Sequence, residues 1–303
     1  MTPDRRSETF QTPAPVRLRV ELPKGRIRVV AEETAETRIE LTAVHGDDLA
    51  RQWIADAQIE QQGDEVLVRV NKPNLAYGLD IGVLVESLLS LATLGAGGAI
   101  EAVVHVPATS AARLSTGSGT IETIGSLGEV SAASGSGVIR LGDCAEARAR
   151  TGSGDISIAS TTGSADAKTG SGKVSMGKVG GHATVMTGSG RTELGEVTGD
   201  AKVTAGSGSI EVDRAGDSLE AFTASGKIEI GRVDHGRVRA KTVSGKVSVG
   251  VAQGSAALLD ISTMSGRVHS ELEPSAAPSD GEPQVELVIS TMSGNVNVAR
   301  APA

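Results

Sequence analysis

Aromatic side chains are nearly missing from this sequence: Phe10, Trp53, Tyr77 and Phe222 are the whole set in 303 residues. Globular cores lean on aromatic rings for volume, so any core here is thin and aliphatic. The same shortage removes the stacking platforms that single-stranded nucleic acids need. A net charge of −8 is also the wrong sign for a phosphate backbone, so no nucleic-acid partner is expected. The single cysteine, Cys144, excludes an intramolecular disulfide and reads as a small buried hydrophobe. No proline falls between Pro107 and Pro274, as expected where central strands must donate hydrogen bonds to both neighbours. The densest apolar stretch, Leu79–Leu94, carries Asp80 and Glu86 and falls short of the roughly 20 uninterrupted apolar residues of a membrane span. The opening residues have no apolar run behind a basic end, so no secretory signal is read and a cytoplasmic location is expected, with the inner membrane surface as an alternative.

Glycine, by contrast, is abundant at 39 residues, and ten glycines recur in one phrase. A Ser-Gly dipeptide ends at Gly119, Gly137, Gly154, Gly172, Gly190, Gly208, Gly226, Gly245, Gly266 and Gly294. Most intervals are 17 to 19 residues, and the last two stretch to 21 and 28. A fixed period of this size marks a solenoid, one repeat per turn. Two and four residues after the glycine stand apolar residues such as Ile156 and Ile158, Val174 and Met176, or Ile210 and Val212, with polar residues between them. That alternation is a half-buried strand. Seven and five residues before the next glycine lie Ala147 and Ala149, Ala183 and Val185, or Leu287 and Ile289, a second strand with smaller inward residues. Position minus three is almost always Thr. An isolated apolar residue such as Val179, Val197 or Cys144 marks the bend between strands. The glycines suit a tight corner, and the serine beside each is expected to cap it by a hydrogen bond. The expected fold is all-β, a single-stranded β-solenoid of ten Ser-Gly coils with an N-terminal β-rich cap carrying a short helix.

Phrases such as Thr116-Gly117-Ser118-Gly119-Thr120-Ile121 and Thr169-Gly170-Ser171-Gly172-Lys173-Val174 resemble a bacterial family of unknown function labelled putative adhesin, built as a β-solenoid. The entry segment from Val20 to Val29 looks like the first coil of that family. The resemblance covers residues 16–298. It implies the solenoid fold and an interaction role, and it offers no catalytic residues to carry over.

In chain order, residues 1–15 read as a disordered lead and 16–70 as the cap and first coils, with a short helix from Asp47 to Ala57. Residues 71–100 are an apolar insert, 101–298 the solenoid repeats, and 299–303 a tail. Two insertions, 251–256 and 270–283, break the late rhythm, the second as a proline-containing acidic loop.

Several chemistries lack their signatures in this sequence. The dinucleotide fingerprint lacks its third glycine, which is replaced by Glu122, Arg140 or Ser157, and no phosphate loop follows Gly172-Lys173 or its siblings. The column after each glycine mixes Asp155 with Lys173, Arg191 and Lys227, so calcium is not expected. The five histidines stand apart without metal-ligand spacing. No cofactor, metal or catalytic residue is assigned.

What remains are surfaces. Lys173, Arg191, Lys227, Lys246 and Arg267 form a basic column beside an acidic one of Glu122, Glu193, Glu211 and Glu229. Met186 and Phe222 share another outward column. The insert offers Val83, Leu84, Leu88, Leu91 and Leu94 for contact with a second subunit or, peripherally, a membrane. The expected function is a non-catalytic scaffold acting by self-association or protein docking. An envelope adhesin is the alternative, and an unrecognised enzyme the third possibility.

Overall fold

The computed structural model describes residues 4–44, 48–71, 98–272 and 283–302. The chain is all-β, with parallel strands wound in solenoid fashion and an N-terminal β region that carries one short helix. It divides into two compact units, Met1–Gly137 and Val138–Ala303.

The first unit holds β1 (Arg5–Gln11), β2 (Arg17–Glu32), β3 (Glu36–Ala43), α1 (Asp48–Ala55), β4 (Gln58–Gln62), β5 (Glu65–Arg69), β6 (Ile100–Pro107), β7 (Ala111–Ile124) and β8 (Ser126–Ser136). Strand β2 runs parallel to β7 along nearly its whole length, from Arg17 opposite Ala111 to Val30 opposite Ile124, and β7 pairs in turn with β8. Gly25 stacks on Gly119 as a corner of the same kind, with φ of +130° and +143°. The far edge of β2 is covered by β5 over Arg17–Glu21 and by β6 over Gly25–Glu32. Beyond these the pairing turns antiparallel: β4 on β5, β3 on β6, and β1 on β3. Stacking therefore leaves chain order, because the chain steps over β2 in passing from β6 to β7. Thr109 makes that step with φ of +61°, the only non-glycine residue at positive φ among the described residues.

Within the cap and first coils read over 16–70, β2 is the coil in register with the repeats, and β1 and β3–β6 are the covering strands. One expectation changes here. The lead expected to be disordered contains β1, held by long-range partners that its local sequence does not advertise. Arg6 donates to the carbonyl of Ala57 at 2.6 Å, just past α1, where a cation meets the carbonyl end of a helix. Arg51 of the helix reaches back to Asp4, and the hydroxyls of Thr12 and Thr37 meet at 2.9 Å in a buried pair. The helix buries Ala50, Trp53 and Ile54, packs on β1 and β3, and places Asp48 in its first turn.

The second unit is two parallel ladders. One begins with the second half of β9 (Ile139–Ser153) and continues through β11 (Ala165–Ser171), β13 (Ala183–Ser189), β15 (Ala201–Ser207), β17 (Ser218–Ser225) and β19 (Gly236–Ser244). The other begins with the first half of β9 and runs through β10 (Ile156–Thr161), β12 (Val174–Val179), β14 (Thr192–Val197), β16 (Ile210–Ala215), β18 (Ile228–Val233) and β20 (Val247–Val251). The inward columns are those read from the alternation: Ile156, Val174, Ile210 and Ile228 are buried on one ladder, Ala183, Val203 and Leu219 on the other. Cys144 is buried at the bend, in register with Thr161 and Val179.

The end of this unit also leaves chain order. The strands β21 (Ala256–Ser265) and β22 (Val268–Ser270) do not follow β19 and β20. The final pair, β23 (Gln284–Ser293) and β24 (Val296–Arg300), inserts between them: β19 pairs with β23 and β23 with β21, while β20 pairs with β24 and β24 with β22. Core filling gives a physical reason. The inner coil points Val285, Leu287, Ile289, Val296 and Val298 inward, all at most 1% exposed. The matching register positions in the outer coil are Ala257, Leu259, Ile261, Val268 and Ser270. A coil with neighbours on both sides buries these positions fully, which favours valine there and penalises a serine hydroxyl without a partner. The poorer coil goes to the edge.

Candidate functional site

The corner column is the most regular feature of the second unit. Gly190 has φ of +133°, and a Cβ there would lie 2.0 Å from the carbonyl oxygen of Gly172 in the coil below. Only glycine permits that approach. The hydrogen bonds that fix the corner come from threonine, not from serine as expected. The Oγ1 atoms of Thr151, Thr169 and Thr187 donate to the carbonyls of Ser153, Ser171 and Ser189 at 3.0, 3.0 and 3.1 Å. The threonines are buried three residues before the glycine, so their hydroxyls must find a partner within the coil. The serines face solvent.

The two charged columns lie side by side and pair in part. Lys173 reaches Glu193 in the next coil at 2.6 Å, Arg191 meets the same carboxylate at 3.6 Å, and Lys227 pairs with Glu229. Lys246 and Arg267 continue the basic column, but their coils offer Ser248 and His269 where those of Arg191 and Lys227 have Glu, and neither has a carboxylate partner among the described residues. Near the bends, Asp234 accepts from Arg214 and Arg232, each at 2.8 Å. Partial burial pushes the Asp234 carboxyl up, but the two guanidinium hydrogen bonds outweigh it and hold the group below its ordinary range. Burial, helped by the Asp143 charge, raises the Cys144 thiol to about 11, so no thiolate nucleophile is available near neutrality. Among the described residues no three His, Cys, Asp or Glu side chains gather where they could hold a metal ion.

Apolar surface is more unevenly spread. Met186 and Phe222 stand in one column with Thr204 between them, as the repeat register requires, and are 47% and 37% exposed. The sequence reading missed a second group in the last coils: Val243, Met292 and Met264, with Leu258 and Val268. Its signal was present. Two residues before the corner glycine, earlier repeats have Gly152, Gly170, Gly188 or Gly206, and the last three have Val243, Met264 and Met292. Exposure climbs along this column from 40% at Val243 to 53% at Met292 and 81% at Met264, following the spatial order of the coils. The insert residues Val83, Leu84, Leu88, Leu91 and Leu94 lie outside the described residues.

The family model described as Toastrack DUF4097 matches residues 19–299. No curated protein matches the sequence. Similar solved structures include a putative lipid binding protein from Parabacteroides distasonis, at 10% identity over 97% of this chain and 96% of that one, with a TM-score of 0.38. A putative adhesin from Bacteroides fragilis matches at 8% identity over 97% and 96% of the two chains, with a TM-score of 0.33. A putative cell adhesion protein from Clostridium sporogenes matches at 11% identity over 98% and 99%, with a TM-score of 0.29.

Proposed function

The chain belongs to the Toastrack DUF4097 family, and from that premise we propose that it is a non-catalytic interaction scaffold, acting by self-association or by docking a protein partner. The observation that carries this reading is the placement of apolar surface. Of the eight large hydrophobic side chains exposed among the described residues, five fall in the last three coils, and Met186 and Phe222 share a column nearby in the same unit. Apolar area left in water costs about 25 cal/mol per Å², and gathered patches of it mark contact surfaces. The ionisable groups point the same way, because Glu193, Glu229 and Asp234 are each engaged by cations of the same or adjoining coils. On sequence alone, the apolar stretch 79–94 adds a second surface suited to a protein or to the cytoplasmic face of a membrane.

The test is the solution mass of the full chain over a concentration series, joined to co-sedimentation with phosphatidylcholine–phosphatidylglycerol vesicles and partner capture. Two variants accompany it, Met186→Ser with Phe222→Ser, and Leu84→Ser with Leu88→Ser and Leu91→Ser. The expected result is association, vesicle binding or partner capture by the native chain that a variant with unchanged circular dichroism loses. A native chain that stays monomeric, ignores vesicles and captures nothing that either variant loses would overturn the reading.

A further inference from the structure

Among the described residues, the coil of β21 and β22 ends the second unit with no strand on its outer edge: β21 pairs only with β23, and β22 only with β24. Its inward residues show the consequence: Leu259 and Ile261 are half-buried and Val268 is 48% exposed, where the matching residues one coil in are sealed. Such edges invite further strands, and proteins defend them with charge, proline or bulges. The outer strands of the first unit follow that rule, β1 with Arg5, Arg6 and Glu8, and β4 with Gln58, Glu60 and Gln61. Strand β21 does not. Its ten residues include no lysine or proline, and Asp260 is the one charge.

The pattern of this edge is complementary to itself. Consider a two-fold axis through Ile261, so that β21 meets the β21 of a second copy in antiparallel register. Leu258, 69% exposed, then faces Met264, 81% exposed, on both sides of the axis. Asp260 faces Ser262, and Leu259 faces Thr263. Shifting the axis to Asp260 would set two carboxylates face to face, and shifting it to Ser262 would set Asp260 against Met264. Only one register matches apolar to apolar and leaves the charge beside a hydroxyl. Ile261 lies four residues before Ser265 at the corner, and His269 lies four after it. An axis that also crosses β22 at His269 sets Val268 against Ser270 and Arg267 against Glu271. Arg267 is the unpaired cation noted above, and Glu271 has His269 of its own chain 3.7 Å away. Charges of opposite sign thus meet where the strand ends.

We infer that this edge is a homodimer interface, in which β21 and β22 each pair antiparallel with their counterparts in a second copy of this chain, about a two-fold axis through Ile261 and His269. The inference rests on the self-association half of the proposed function and gives it a surface and a register. The isologous contact closes on itself, so it ends at two copies and does not propagate. It also seals the half-buried Leu259, Ile261 and Val268.

Sedimentation equilibrium of the full chain should show mass rising from 30.7 kDa toward twice that value. Leu258→Glu alone, or Met264→Lys alone, should weaken the dimer by about tenfold or more, since each breaks two symmetric pairs. Both side chains point outward at an edge, so folding should survive, with circular dichroism as the check. Combining Leu258→Glu with Met264→Lys sets opposite charges across the axis and should recover most of the loss. A chain that stays monomeric over the series, a dimer indifferent to both single variants, or a double variant no better than the singles would each overturn the inference. If the mass stays at one copy while the Met186 and Phe222 variant still loses a partner or vesicles, the dimer is refuted and the scaffold reading stands.

Discussion

At Thr192 the chain places a hydroxyl in a column otherwise filled by Val174 on one side and Ile210 on the other. Its Oγ1 is buried without a hydrogen-bond partner. An unsatisfied buried hydroxyl costs about 1–3 kcal/mol, so Thr192→Val should raise stability by roughly 1 kcal/mol in denaturant unfolding. Thr187→Val should do the opposite by about the same amount, because that hydroxyl donates to the Ser189 carbonyl at 3.1 Å. Gly190→Ala, with a Cβ driven 2.0 Å from a backbone oxygen at φ of +133°, should cost about 3 kcal/mol or more, whereas the exposed Ser189→Ala should be nearly silent. Cys144 gives a pH prediction. Folding raises its thiol from about 9 to about 11, so the folded chain holds the proton more tightly than the unfolded chain. The stability tied to that proton is intact below pH 9 and should fall as pH rises from 9 to 11, a slope that Cys144→Ala should reduce. The sequence told the corner residues apart only in part. It showed that glycine is needed and that Ser and Thr accompany it, but which hydroxyl turns inward depends on the parity of the strand as it enters the corner.

Elements were more legible than single hydroxyls. Period-two alternation places Ile210 inward and Glu211 outward, and the structure buries Ile210 fully while leaving Glu211 half-exposed. Ile210→Asp should unfold its own coil and the flanking ones at Thr192 and Ile228, seen as a large drop in midpoint, since a buried charge there has no partner. Glu211→Lys should be neutral to mildly stabilising, within about 0.5 kcal/mol, because Glu211 lies between Glu193 and Glu229 in the register and a cation there relieves like-charge neighbours. Equal losses in the two variants would mean the inward and outward columns are exchanged. What alternation could not supply was β1. Apart from Phe10, its residues Arg5–Gln11 are polar, and their order comes from β3 and from a helix terminus some 50 positions away in the chain.

At the scale of whole units, the repeat period announces the solenoid but leaves stacking order open, because every coil carries nearly the same phrase. Leu259-Asp260-Ile261-Ser262-Thr263-Met264-Ser265-Gly266 and Leu287-Val288-Ile289-Ser290-Thr291-Met292-Ser293-Gly294 differ at one position in eight, so either could follow β19. The deciding residues lie outside the phrase, Val285 against Ala257 and Val298 against Ser270, and their effect is read only once the inward columns are aligned. Hydrogen exchange on the intact chain separates the two orders. Stacking in chain order would make β23 and β24 the edge, with fast exchange at alternate amides between 284 and 300. The observed order makes them central, so those amides should exchange only when the coil opens, and the fast alternate amides should lie in β21. If two copies pair through that strand, its fast amides should slow as concentration rises while those of β23 stay slow throughout. Slow amides in β21 with fast ones in β23, in the dilute chain, would restore chain order and remove the open edge on which the dimer depends.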